Sequence, residues 1–195
     1  LPGQVNLGNY DAFVRKYDSL GNEIWTKQLG TSGNDEARSV SVDPSGNVFV
    51  AGSVFGALPG QKFSGIQDAF IRKYDPNGKE IWTQQFGTNY FDRAFSVATD
   101  PSGNIYVAGY TKGAFPGQKS LGKGDGFIKK YDSSGTEIWT KQFGPIAWDT
   151  ATSVTTDSSG NVYVAGNIRL GIADQDVFIK KYDFNGNEQI GRAHV

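Results

Sequence analysis

The sequence predicts an all-β chain: a β-propeller of four-stranded antiparallel blades, incomplete, with about three and a half blades in an open ring. Three observations predict it. A long block repeats, four short strand-like runs fall within each period, and two of the three connections in a period share one turn chemistry. The period is read from Asp11-Ala-Phe-Val-Arg-Lys-Tyr17, which returns from Asp68, Asp125 and Asp176 after steps of 57, 57 and 51 residues. A parallel β-helix fits poorly, because its rungs are shorter and need no tight hairpins.

In the first full copy, strand a is Ala37–Val42, b is Asn47–Gly52, c is Asp68–Tyr74 and d is Glu80–Phe86. Strand a keeps Ala37, Ala94 and Ala151, then Ser39, Ser96 and Ser153, then Val40, Val97 and Val154. Small residues suit an innermost strand, where blades converge and backbones crowd. Strands b and c are apolar on both faces, as in Val48-Phe49-Val50-Ala51 and Ala69-Phe70-Ile71, which suits a sheet sandwiched between neighbours. Strand d carries Trp25, Trp82 and Trp139, expected to pack between blades.

The a–b turns are Asp43-Pro-Ser-Gly-Asn47, Asp100-Pro-Ser-Gly-Asn104 and Asp157-Ser-Ser-Gly-Asn161. The c–d turns start at Asp18, Asp75, Asp132 and Asp183 and follow the same Asp-x-x-Gly recipe. Aspartate caps the turn through its carboxylate, and glycine (Gly46, Gly103 and Gly160 in the a–b set) takes the left-handed position of a three-residue loop. The turns lack the alternating oxygen ligands of a calcium loop. In the c–d hairpins, this loop length sets Arg15, Arg72 and Lys129 opposite Trp25, Trp82 and Trp139, with cation–π contact. The b–c connection is longer and varies most.

The phase defines the organisation: strands c and d of a first blade in 1–36, a second blade in 37–93, a third in 94–150, and strands a, b and c of a fourth in 151–188. Closing a ring takes at least about four blades, so further copies are expected in the natural chain, and the fragment is expected to self-associate. Glu-Ile-Trp-Thr recurs at Glu23, Glu80 and Glu137, but Glu188 is followed by Gln189-Ile-Gly-Arg-Ala-His-Val195. A common sequencing-adapter string encodes the last six of these residues. Residues 189–195, with the only histidine, His194, are therefore expected to be a non-native tail on a metagenomic fragment.

Net charge is −1 and the isoelectric point about 5.8, so no field draws nucleic acid or anionic lipid. The basic pairs closing each strand c, such as Arg15-Lys16 and Lys129-Lys130, alternate between faces. Without cysteine there are no disulfides, thiolate metal sites or thiol nucleophile. No apolar run approaches the roughly 18 residues of a membrane helix. No cofactor, metal, nucleic-acid partner or membrane insertion is expected.

Asp-x-x-Gly-Asn-(Val/Ile)-(Phe/Tyr)-Val-Ala-Gly, then Asp-Ala-Phe-(Val/Ile)-Arg-Lys-Tyr-Asp, then Gly-x-Glu-Ile-Trp-Thr-x-Gln-Phe-Gly, resembles the SBBP-type bacterial β-propeller repeat over residues 1 to 188. The resemblance implies a propeller, often of about seven blades, in bacterial surface or secreted proteins, hence an extracellular or cell-surface setting. It brings no catalytic residues. Strand b alone also resembles NHL-type repeats. The spacing Asp18-x-x-Gly21-x-x-x-Trp25 is similar to the tryptophan-docking repeat of quinoprotein dehydrogenases, with Asp and Gly one residue closer.

Candidate site residues lie in the d–a loops, Gly30–Asp35, Gly87–Asp92 and Gly144–Asp149. Asp35, Asp92 and Asp149, with Asp11, Asp68, Asp125 and Asp176 at the starts of strand c, form an expected acidic arc near the channel mouth. Such an arc binds a cation or sugar hydroxyls, or each carboxylate holds its own loop. Recurrence in every copy favours the structural role. What varies is the better binding candidate: Tyr90, Phe91 and Trp148 in the d–a loops, and Phe55, Leu58, Phe63 and Phe115 in the b–c loops. These residues favour a non-catalytic binding or surface-display module for a glycan or protein, completed by the remaining blades of its own chain. The alternative is part of a propeller enzyme acting on polysaccharide, a lyase or hydrolase, with catalytic residues largely in the missing blades. No catalytic residue is assigned, because no histidine lies outside the tail and no carboxylate pair stands out from its repeat equivalents.

Overall fold

The computed structural model describes residues 1, 3–144, 147–169 and 175–191. Their regular structure is all strand. Strands β1 (Ala12–Tyr17) and β2 (Glu23–Leu29) form a two-stranded sheet. The first four-stranded sheet is β3 (Glu36–Val42), β4 (Val48–Val54), β5 (Asp68–Tyr74) and β6 (Glu80–Phe86). The next is β7 (Asp92–Thr99), β8 (Ile105–Thr111), β9 (Asp125–Tyr131) and β10 (Glu137–Phe143). The last is β11 (Thr150–Thr156), β12 (Val162–Arg169), β13 (Gln175–Tyr182) and β14 (Glu188–Gly191). Each is an antiparallel meander in chain order, so the blades are as the repeat predicts.

The fourth blade differs in one respect. It was expected to stop at strand c, yet Glu188–Gly191 add a short strand, with Tyr182 opposite Glu188 and Lys181 opposite Ile190. Main-chain pairing needs no particular side chains, and Glu188 keeps the ion pair to Lys180 at 2.8 Å. His194 lies outside the described residues.

Turn chemistry sets the hairpins. Asp100 Oδ1 accepts the amides of Ser102 and Asn104, both at 2.9 Å, and Asp43 and Asp157 repeat the arrangement. Gly46, Gly103 and Gly160 stand at φ of +80°, +81° and +79°, where a side chain is disfavoured. The a strands of successive blades lie side by side: the amides of Val97 and Val154 donate to Ser39 Oγ and Ser96 Oγ, each at 3.1 Å. A small hydroxyl at this position lets one backbone reach the next.

The core is a set of layers between blades. Phe49, Ile71, Val97, Val107 and Phe127 fill the layer between the second and third blades, with Trp82 and Phe86 against it. Corresponding layers lie on either side. The repeat acts as an internal control on this packing. Phe13 is 52% exposed while its equivalents Phe70 and Phe127 are 0%, and Val40 is 57% exposed against 5% for Val97. The difference is the neighbour: β1 has no strand b beside it, and β3 has no strand a before it. Phe13, Tyr17, Trp25, Val40 and Val42 line the resulting groove of about 540 Å³.

The c–d register departs from the expected one. Lys16 lies opposite Trp25 and Tyr17 opposite Glu23, so Ile24 is an extra residue, a bulge repeated at Ile81 and Ile138. Trp25, Trp82 and Trp139 therefore face Lys16, Lys73 and Lys130, and the expected pairing with Arg15, Arg72 and Lys129 is corrected by one residue. Arg15 and Arg72 each donate from Nε to the hydroxyl of Thr26 and Thr83, at 2.7 Å. Lys129 lies instead over Phe115, 4.4 Å from the ring centre.

This shift creates an inter-blade clamp. Lys16 Nζ and Trp25 Nε1 both donate to the carbonyl of Pro76 in the next blade's c–d turn, at 2.9 and 3.1 Å. Lys73 and Trp82 share Ser133 O, and Lys130 and Trp139 share Phe184 O. The tryptophans also pack on the next blade, as Trp25 does on Tyr74 with centroids 5.9 Å apart.

Candidate functional site

The d–a and b–c loops meet on one face, tied there by main-chain bonds. Gln67 O accepts the Asp92 amide at 2.8 Å, and Gly124 O accepts the Asp149 amide at 3.0 Å. Strand d braces the b–c loop of its own blade. Gln142 Nε2 donates to Gly113 O at 2.9 Å and to Asp125 Oδ2, its Oε1 accepts the Phe115 amide, and its own amide donates to Gln118 Oε1. This b–c loop is thus fixed along its length.

The acidic arc lies beneath this face, not on it. Asp35, Asp92 and Asp149 are buried, so of the two roles open to them a place on a ligand site is corrected in favour of the loop-holding one. Asp92 Oδ2 accepts the Thr88 amide at 2.6 Å and its hydroxyl at 3.0 Å, while Oδ1 accepts the Thr111 hydroxyl. Asp35 holds Thr31 and the Phe55 amide in the same way, and Asp149 accepts the Arg169 amide at 2.8 Å. Pro145 stands where the other copies have Thr31 and Thr88, and proline has no N–H to give. Burial pushes the carboxyls of Asp92 and Asp149 above the usual range, with Asp68 and Asp125 adding repulsion. Loop anchoring requires the same aspartate in each copy, which explains its recurrence.

The variable aromatics divide. Leu58 and Phe115 fold back into the core, Phe55 and Phe63 are partly exposed, and Phe91 is half-buried beneath Arg93. Tyr90 and Trp148, at 50% and 48% exposure, face solvent across a cleft of about 520 Å³. Its other lining residues include Lys112, Ser120 and Lys123. Trp148 does not stand alone: its indole stacks on Tyr110, nearly parallel at 3° with centroids 6.3 Å apart. Tyr110 in turn occupies the space above Gly124, where an added Cβ would lie 2.3 Å from the ring. In the preceding blade the same two positions are Ser53 and Gln67, hydrogen-bonded at 2.9 Å. One polar pair has been exchanged for a platform that supports Trp148.

Lys112, Lys123 and Tyr110 were not singled out from the sequence, though a signal existed. Aligned on the repeat, Lys112 replaces Phe55, Lys123 replaces Ile66 and Tyr110 replaces Ser53. Departures from the copy mark this cleft.

Comparisons with known proteins agree with the architecture. The SBBP β-propeller repeat matches residues 24–53, 81–116 and 138–168. The chain is 30% identical over 174 residues to the regulatory protein FlaEY of Caulobacter vibrioides, a match covering 82% of this chain and 18% of that protein. It is 32% identical over 124 residues to an uncharacterized WD repeat-containing protein of Acanthamoeba polyphaga mimivirus, covering 54% of this chain and 9% of that one. The chain thus spans less than a fifth of the length of either relative. A solved structure of a protein of unknown function from Bacteroides caccae shares the fold, with TM-score 0.53 at 14% identity, over 94% of this chain and 60% of that one. Repeat sequence, blade topology and family match coincide: the chain carries three copies of the SBBP β-propeller repeat.

Proposed function

We propose that this β-propeller module binds a ligand without transforming it, and that the ligand is a glycan held on the loop face between Tyr90 and Trp148. The observation behind the reading is the exposed Trp148 indole, stacked on Tyr110 and facing Tyr90 across the cleft. Exposed aromatic faces on rigid supports suit the apolar face of a pyranose ring, and stacking of this kind needs little side-chain ordering on binding. The braced loops make the site preformed. The family resemblance supports an extracellular or cell-surface setting, which protease shaving of intact cells checks.

The test is a glycan array probed with the chain, read alongside release of reducing ends. Binding without release, lost in Tyr90→Ala and Trp148→Ala while the melting temperature holds, is the expected result. Binding that survives both substitutions overturns the reading, as does release of reducing ends.

A further inference from the structure

The cleft between Tyr90 and Trp148 also has a charge pattern, and we propose that its ligand is an anionic saccharide, one carrying carboxylate or sulfate groups. This rests on the glycan reading above and narrows it.

The two lysines stand on different walls. Lys112 lies on the Tyr90 side, its ammonium 6.0 Å from that ring's centre, and its amide donates to Phe91 O at 3.0 Å. Lys123 lies on the Trp148 side, its amide donating to Ala147 O at 3.1 Å. Both side chains are exposed, and neither is in an ion pair among the described residues. Among the described residues, no carboxylate lines the cleft. Asp92, Asp125 and Asp149 are buried under the loops, where Asp92 and Asp125 accept amide and side-chain donors and Asp149 Oδ1 accepts the Arg169 amide. A chain of net charge −1 thus gathers two cations and two aromatic faces in one opening.

The preceding junction shows that this is not a by-product of the fold. There the equivalents are Gly33 for Tyr90, Phe55 for Lys112, Phe63 for Ser120, Ile66 for Lys123 and Phe91 for Trp148. Phe55 lies against Gly33, where an added Cβ would meet it at 2.6 Å. The same scaffold carries phenylalanine and isoleucine side chains at one junction and a lysine on each wall of a cleft at the next. A volume of about 520 Å³ lies within the range of small-ligand sites. Stacking on Tyr90 or Trp148 fixes the ring of the sugar. A lysine on each wall, a compact charge on a flexible stem, reaches acidic groups at more than one position on that ring.

Calorimetric titration of the chain with oligogalacturonate, a carrageenan oligosaccharide (sulfated, without carboxylates) and neutral xylo-oligosaccharide of equal length separates the outcomes. Acidic sugars are expected to bind at least about tenfold tighter than the neutral one, with the advantage shrinking between low and high salt. Lys112→Gln and Lys123→Gln each weaken acidic binding several-fold and neutral binding far less, leave the melting temperature unchanged, and show by their relative effect on the two acids whether carboxylate or sulfate is preferred. Equal affinity for neutral and acidic sugars, or lysine variants that bind acids as well as the unmodified chain, overturns the anionic assignment while leaving the glycan platform standing. Failure of every saccharide to bind, or capture of a protein by this face in place of a sugar, removes both.

Discussion

Lys73, on the third strand of one blade, donates its ammonium to the carbonyl of Ser133 in the c–d turn of the next, 3.0 Å away. The indole of Trp82 donates to the same oxygen at 3.2 Å. One carbonyl thus has two donors from the neighbouring sheet. Removing either leaves the other, so Lys73→Met and Trp82→Phe are each expected to cost about 1–2 kcal/mol, and the double variant more than their sum, because the carbonyl then loses both partners. Denaturant unfolding of the four species measures the coupling. Simple additivity overturns the shared-acceptor account.

The turn glycines separate backbone from packing. Gly103 and Gly135 both have positive φ, +81° and +88°. A Cβ at Gly103 would meet nothing nearer than Ser133 Cβ at 4.0 Å, whereas at Gly135 it would lie 2.9 Å from the Trp82 ring. Gly103→Ala is expected to cost about 1–2 kcal/mol from the left-handed conformation alone. Gly135→Ala adds about 1 kcal/mol or more of overpacking and shifts tryptophan emission. Equal losses, with unchanged emission, count against the clamp geometry.

Acid affects buried and turn aspartates in opposite directions. Burial raises the Asp92 carboxyl in the folded state, so its contribution to stability grows as pH falls through that raised value toward the unfolded value of about 3.9. The hydrogen bonds that cap the turns lower Asp18, Asp132, Asp157 and Asp183, whose contributions are present above about pH 3.9 and lost below it. Asp92→Asn is expected to shrink the gain above pH 4 to the part that the likewise raised Asp149 supplies, and to leave the loss below it. Melting temperatures across pH 3–7 check this, and an unchanged profile in the variant sinks it.

The groove beside β1 presents Phe13, Tyr17, Val40 and Val42 to solvent. Equivalent residues in other blades are covered by a strand of the same repeat. The chain is expected to associate through this face, and Phe13→Lys with Val40→Lys to restore a monomer in light scattering. Fusing a further a–b hairpin ahead of the chain should do the same and raise the melting temperature. An unmodified chain that is already monodisperse and monomeric rules this out.

Much of the fold was legible because it is local. Asp100, Gly103 and Asn104 form a turn with one another, and any stretch carrying them bends the same way. The blade order follows from counting those turns between apolar runs. The c–d register was not legible, since an extra residue at Ile24 depends on how two strands run past each other after the turn. Tyr90 and Trp148 could be nominated because they break the repeat, but their meeting across one cleft with Lys112 and Lys123 could not.

By itself, then, the order of amino acids determined the repeat, the turns, the strands of the two complete blades and the choice of small residues for the inner strands, all properties of neighbours within a few positions. Only the tertiary structure decided that Asp92 is an internal anchor, that the second and not the first member of each basic pair faces the tryptophan, and that one junction is open and cationic. Those outcomes depend on contacts between segments some 50 to 60 residues apart, such as Lys73 with Ser133 and Tyr90 with Trp148. Blade stacking sets those contacts.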